Sequence, residues 1–272
     1  MKQKSIFHAL TAVAAAGIVF ASCTNIDSPV VDNSTSDAKY VMAKDSVVSS
    51  LGNTRVYTFE VDAEGRFTKE IANYELSNGN SYQRICNFSY GTNTITREDV
   101  YSNGETYTSL FMLNDKGLVE QCYDEEADET ITFEYNDNDN LILSTCDDEY
   151  TITAEWKDGD LLTDTDGDII GVYTLSNLEV DFPYFMTYAY YYDTTLAQMG
   201  YFGKPSRHLV SSIKYENEGE NGHSVETVYY DYVVRNGLIH EITATLDVVL
   251  TIDGVEEKAS KTEHHYITWK KF

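Results

Sequence analysis

The 272-residue chain predicts an all-β, mainly antiparallel protein, built as one large curved sheet or open barrel of hairpin repeats with a short helical insert near 184–199. About 14–15 strands are expected, and a sheet that large must curl because strands twist. Three observations carry the prediction. In Thr130–Trp156, apolar residues alternate through Ile131, Phe133 and Tyr135, pause at a polar cluster, continue at Leu141 and Leu143, and resume at Tyr150, Ile152, Ala154 and Trp156. Period-two alternation cut by Asn/Asp turns is the pattern of antiparallel hairpins with one buried face. Composition agrees, with 22 Tyr against 3 Pro, because aromatic residues fit a pleated surface and proline does not. Finally, Tyr90, Leu113, Tyr135 and Trp156 enter turns at steps of 23, 22 and 21 residues, a degenerate repeat of two strands per period.

The first 22 residues read as a signal peptide. Lys2 and Lys4 form a basic start, Ile6–Phe20 an apolar run too short to span a bilayer stably, and Ala21 and Ser22 a small-residue cleavage context. Phe20-Ala21-Ser22-Cys23 resembles the bacterial lipobox, which implies lipidation of Cys23 and an outer-membrane anchor. Several acyl chains hold a protein durably, whereas one holds it marginally. Residues 23–50, rich in Ser, Thr, Asp and Asn, read as a lipidated flexible tether in which only Lys39–Ala43 could form a short strand.

Residues 51–272 read as a single β domain, since no Pro/Gly-rich linker divides them. The alternation places strands at 54–61, 66–76, 81–89, 93–101, 105–113, 117–123, 129–135, 140–146, 149–156, 160–164 and 168–176. Their turns repeat an Asp or Asn start and a Gly or Asp finish, as in Asp62–Gly65, Asn114–Gly117 and Asn136–Asp139. Asp and Asn bond their own backbone on entering a turn, and Gly tolerates the positive φ that closes it. Next, Tyr184, Tyr188, Tyr192 and Leu196 share a four-residue spacing, Pro183 suits a helix start and Gly200 a C-terminal cap. That aromatic face fits either a helix plugging one end of the sheet or a lining for a ligand such as a sugar ring. Strands resume at 209–216, 224–234, 237–252 and 255–270, with Asp253-Gly254 as a hairpin signal.

The turns resemble the Tyr-Asp hairpin repeats of the bacterial YD/RHS class. A closer resemblance is to a family of Bacteroides-type lipoproteins of unknown function with a porin-like open barrel. It covers the lipobox, the hairpins and a Gly-x-x-Gly-Lys-x-Ser-x-x-Leu element matched by Gly200, Gly203, Lys204, Ser206 and Leu209. The resemblance implies a fold and an address, and no activity.

A formal charge of −26 argues against nucleic-acid binding. Cys86, Cys122 and Cys146 are spaced for no metal knuckle and fit free buried thiols, with one disulfide as the alternative. Asp164, Asp166 and Asp168 form a weak calcium candidate that lacks EF-hand spacing and fits a solvated hairpin tip better. The adjacent His264 and His265 must point to opposite faces of a strand, so they cannot chelate together. No cofactor site or catalytic motif is evident, and neither strand face near the C-terminus is apolar enough to meet lipid. These readings lead to an envelope lipoprotein acting as a non-catalytic binding module for a glycan, peptide or partner protein. The alternatives are a structural spacer and a carboxylate-dependent hydrolase with paired acids in one cleft.

Overall fold

The structure is a computed structural model describing residues 40–147, 150–179, 193–219 and 222–271. Its sixteen strands form one closed antiparallel barrel in which each strand pairs with its sequence neighbours, and β1 (Tyr40–Ser49) closes the ring against β16 (Val255–Lys271). The intervening strands are β2 (Thr54–Val61), β3 (Phe67–Glu75), β4 (Ser81–Tyr90), β5 (Thr94–Tyr101), β6 (Thr106–Leu113), β7 (Val119–Asp124), β8 (Glu129–Tyr135) and β9 (Leu141–Cys146). There follow β10 (Tyr150–Lys157), β11 (Asp160–Asp166), β12 (Ile169–Glu179), β13 (His208–Gly219), β14 (Gly222–Arg235) and β15 (Leu238–Ile252).

Closure corrects one sequence expectation. Residues 40–49, assigned above to the tether, are a barrel strand. Two features hid it. A bulge at Ala43, between the pairs Met42–Trp269 and Lys44–Thr268, shifts the phase of the alternation. Beyond the bulge, two of the inward positions are the polar Asp45 and Ser49, which look like linker composition.

The two ends of the barrel differ. One end carries the Asp/Asn-x-x-Gly-type turns, the first residue of β1, the last of β16 and the long β12–β13 connection. Register shifts in β1, β3, β7, β9, β11, β13 and β15 fall near this rim. Bulges bend strands and raise their twist, so a row of them draws the rim inward. Several bulges are satisfied in the same way. Tyr90 and Tyr135 donate their hydroxyls to the carbonyls of Phe67 and Val119, and Trp156 and Trp269 donate Nε1–H to those of Leu141 and Ile239, all at 2.6–2.8 Å. Tyr232 does the same for Val210 at 2.7 Å. Each acceptor adjoins a bulge, so the aromatic residue that ends one strand supplies a donor beside its neighbour's disrupted ladder.

A five-residue helix, α1 (Thr194–Gln198), and the chain after it plug this end. Leu196, Ala197 and Phe202 are buried among Ile95, Phe111, Val119, Phe133 and Leu141, and the Phe202 ring meets Phe133 edge-on at 5.1 Å. The expected helical insert near 184–199 is therefore represented by α1. Tyr184, Tyr188 and Tyr192 lie outside the described residues, as do Cys23 and the leader.

The other end, the mouth, is bordered by short hairpin turns. Here β13 to β16 are longer than the rest, and Val255–Ser260 are exposed throughout, forming a raised lip on one side.

Candidate functional site

Register places the inward-facing residues of β16 and β1–β6 in rows that run across one wall of the barrel. The lowest row, next to the plug at Glu70 and Asp99 and rising to the mouth at Tyr107, is Phe59, Glu70, Cys86, Asp99 and Tyr107. The middle row is Ile267, Asp45, Tyr57, Ala72, Arg84 and Tyr101. The upper row, nearest the mouth, is His265, Val47, Arg55, Tyr74 and Tyr82.

The lower rows hold the plug. Arg97, inward on β5, bonds Asp193 Oδ2 at 2.8 Å and Asp99 Oδ2 at 2.7 Å. Asp193 is also the N-cap of α1, accepting from the Leu196 amide at 2.7 Å. Glu70 accepts from Arg84 at 2.9 Å and from the Thr195 hydroxyl. Burial opposes the Arg97 charge, but the carboxylates of Asp193 and Asp99 outweigh it and hold the guanidinium protonated well above its ordinary range. The Cys86 thiol donates to Asp99 at 2.8 Å; burial, then the Glu70 charge, pushes it far up.

The family-like element continues the plug. Gly200, at φ +80, follows the helix and donates to the Ala197 carbonyl, the place expected of a helix-ending glycine. Gly203 is at φ +87, and a Cβ there would lie 2.2 Å from the Asp139 carbonyl oxygen. Lys204 donates its amide to that same carbonyl at 2.8 Å, and its Nζ lies 3.6 Å from the Asp139 carboxylate. Ser206 donates to Asp160 and accepts from the Leu161 amide, and Leu209 is buried. The element is thus stitched to the closed-end turns. His208 joins it, with Nδ1 2.8 Å from Asp160 Oδ2. Serine, histidine and aspartate meet here, but Ser206 bonds the carboxylate and not the imidazole, the wrong wiring for a nucleophile with its base.

The upper rows are different. Tyr74 and Tyr82 stack with ring centroids 4.2 Å apart, and Tyr57 meets Tyr74 edge-on at 6.1 Å. Tyr82 is 42% exposed at the mouth. Arg55 pairs with Glu263 on β16. Burial works against the Glu263 charge, but Lys261 and Arg55 prevail and lower its pKa. Beside this pair, His265 Nδ1 lies 2.8 Å from Asp45 Oδ2. Both residues are buried, His265 at 3% exposure, and Asp45 Oδ1 and His265 Nε2 have no hydrogen-bond partner. Nε of Arg84 and Nε of Arg97 are likewise unsatisfied.

The three cysteines are free and buried, Cys146 with its pKa pushed up to about 11 by burial and Glu129. The weak calcium candidate is not assembled. Asp164 turns into the barrel, takes a 2.7 Å hydrogen bond from Tyr173 and sits over Gly171, whereas Asp168 is exposed at the turn. Among the described residues, no three His, Cys, Asp or Glu are grouped to hold a metal ion. Burial raises the pKa of both Asp164 and Asp166. Acid/base catalysis by two carboxylates needs their values driven apart, and Asp164 is sealed beneath Tyr173. His265 is the residue that sequence reasoning undervalued. Its signal was its place on the inward side of the last strand, with Ile267 and Trp269.

The outer surface reverses a membrane pore. Outward positions include Thr96, Glu98, Thr132, Glu134, Thr151, Thr153, Glu155, Lys214, Glu216 and Lys270, interspersed with exposed Leu110, Tyr123, Ile170, Val172, Tyr229 and Val233, while the interior holds the apolar cluster. A lipid-spanning barrel requires an apolar outer band. Fold and site therefore define a class: a plugged, sixteen-stranded barrel with an exterior of mixed polarity and a polar-aromatic wall at its mouth. Residues 59–233 match the model of a domain of unknown function, DUF4595, described as having a porin-like fold, and the chain belongs to that family. A crystal structure of a porin-like protein from Bacteroides uniformis ATCC 8492 has the same fold. It aligns over 84% of this chain and 98% of its own at a TM-score of 0.61 and 19% identity. No curated protein matches the chain.

Proposed function

We propose that this chain is a lipid-anchored envelope lipoprotein whose barrel is a non-catalytic binding module, with the mouth as its ligand-facing end. One observation carries the reading: the Tyr57–Tyr74–Tyr82 cluster and the Arg55–Glu263 pair line the mouth, opposite the end where Tyr40 begins β1. Anchoring through Cys23 therefore attaches the tether at the plugged end and leaves the mouth unobstructed by it. Amphipathic rings with a polar edge are favoured at binding surfaces. The partner is a glycan, a peptide or another envelope protein. The address rests on the lipobox and on the porin-like family.

Palmitate labelling of wild type and Cys23→Ala, with protease shaving of intact cells, tests the anchor and the side of the outer membrane. Label that depends on Cys23 supports the reading; label that persists in Cys23→Ala, or fails to appear in wild type, overturns it.

A further inference from the structure

The upper wall also carries information about the chemistry of its ligand. The formal charges of this wall and of the rows beneath it are already spent on one another: Arg55 on Glu263, Arg84 on Glu70, and Arg97 on Asp99 and Asp193. What remains is hydrogen-bonding capacity of both signs. Asp45 Oδ1 is an unused acceptor, Arg84 Nε makes no hydrogen bond but lies 3.7 Å from Asp99 Oδ1, and His265 Nε2 can serve in either role according to its proton. Buried polar atoms without protein partners are uncommon, and an ordered water or the hydroxyl of a ligand completes them.

We infer, on the basis of the binding-module reading, that the mouth takes a neutral saccharide. A sugar ring stacks on the exposed face of Tyr82, and its hydroxyls complete the buried positions around Asp45, His265 and Arg84. Three arguments select this class. A hydroxyl group donates and accepts at once, which suits a mixed set of leftover donors and acceptors. An anionic ligand meets Glu263, Asp45 and Asp99 and the repulsion of a chain at −26. A cationic one meets Arg55, Arg84 and Arg97. The remaining surface is aromatic, and the Tyr74–Tyr82 stack keeps one ring pre-positioned at the mouth. Preorganised contact surface costs little to bind. Asp45 shares its row with Tyr57, and His265 shares its row with Arg55 across Val47 of β1. The sugar reaches them by displacing the Arg55 side chain, which is partly exposed.

Calorimetric titration of the full-length chain, purified from membranes, tests this directly. The probes are neutral hexasaccharides (maltohexaose, xylohexaose, mannohexaose and N-acetylchitohexaose), an anionic set (hexagalacturonate and a heparin hexasaccharide) and a mixed-sequence peptide set. Saturable binding of at least one neutral sugar is expected. Tyr82→Ala should weaken it about tenfold or more, the loss typical of a central aromatic contact. Tyr82→Phe should retain it, and His265→Gln should weaken it while leaving thermal unfolding cooperative. Binding confined to charged sugars or peptides, and lost in Tyr82→Ala, overturns the saccharide inference and leaves the mouth as a binding site. Sugar binding indifferent to both Tyr82→Ala and Tyr74→Ala overturns the mouth as well. Failure of every neutral sugar to bind overturns the inference outright.

Discussion

Asp164 shows how a single buried carboxylate sets the response of the fold to pH. Burial raises its pKa above the unfolded value, against the hydrogen bond from Tyr173. An acid whose folded pKa is raised holds its proton more tightly in the native state. Its stabilising contribution is full below the unfolded pKa, near 4, and is lost as pH rises through the folded value. Asp164→Asn keeps an acceptor for Tyr173 and has no charge to bury. Chemical denaturation should find the variant more stable than wild type at pH 8, with the difference shrinking towards pH 4. A constant difference across that range would contradict the assignment. The cysteines make a second residue-scale case. Thiolate formation is unfavourable at Cys86, Cys122 and Cys146, and all three are buried. In a Cys23→Ala chain, Ellman's reagent at pH 8 should find no fast thiol in the native protein and three after addition of guanidinium. Their burial follows from alternation that was legible in the sequence. The bond from Cys86 to Asp99 was not, because it depends on which strands become neighbours.

At the scale of the element, the repeated unit is a strand ending in an aromatic residue that donates to a carbonyl beside its neighbour's bulge. Tyr135→Phe removes the donor to Val119 while keeping the ring. Leaving a buried carbonyl unsatisfied costs about 1–3 kcal/mol, so the denaturation midpoint should fall with the slope unchanged. Tyr123→Phe, at an exposed position on the same sheet, should change stability by no more than about 0.5 kcal/mol. The 22-residue rhythm of Tyr90, Leu113, Tyr135 and Trp156 was visible in the sequence because the hairpin repeat brings every second turn to the same rim. The bulges were not, since a single extra residue leaves composition unchanged and only shifts phase. The same shift concealed β1. The helix α1 is too short to persist on nucleation grounds, so it depends on its Asp193 cap and the Arg97 bond. No local propensity could have announced that.

For the whole molecule, the decisive property is an interior filled by an apolar cluster and a wall of paired charges, with polar residues interrupting every outward face. The sequence showed the alternation and the want of a lipid-compatible face in the last strand. That the sheet closes was not legible, because closure depends on β1 meeting β16. Residues 24–272 should stay monodisperse without detergent and produce no conductance in planar bilayers. Stepwise current through the purified chain would refute the assignment of inside and outside. In the mouth, the paired aromatic rows were legible only as scattered tyrosines until register set Tyr74 beside Tyr82.

The position of β1 has a mechanical consequence. Its first residue, Tyr40, stands at the plugged rim, and the strand runs from there towards the mouth between β2 and β16. If Cys23 is fixed in a membrane, any drag on a ligand held at the mouth is transmitted along the axis of this one strand. The load then shears two ladders of backbone hydrogen bonds together and does not unzip them one by one. A barrel closed by its own leash resists tension along the direction in which a tethered binding protein is pulled.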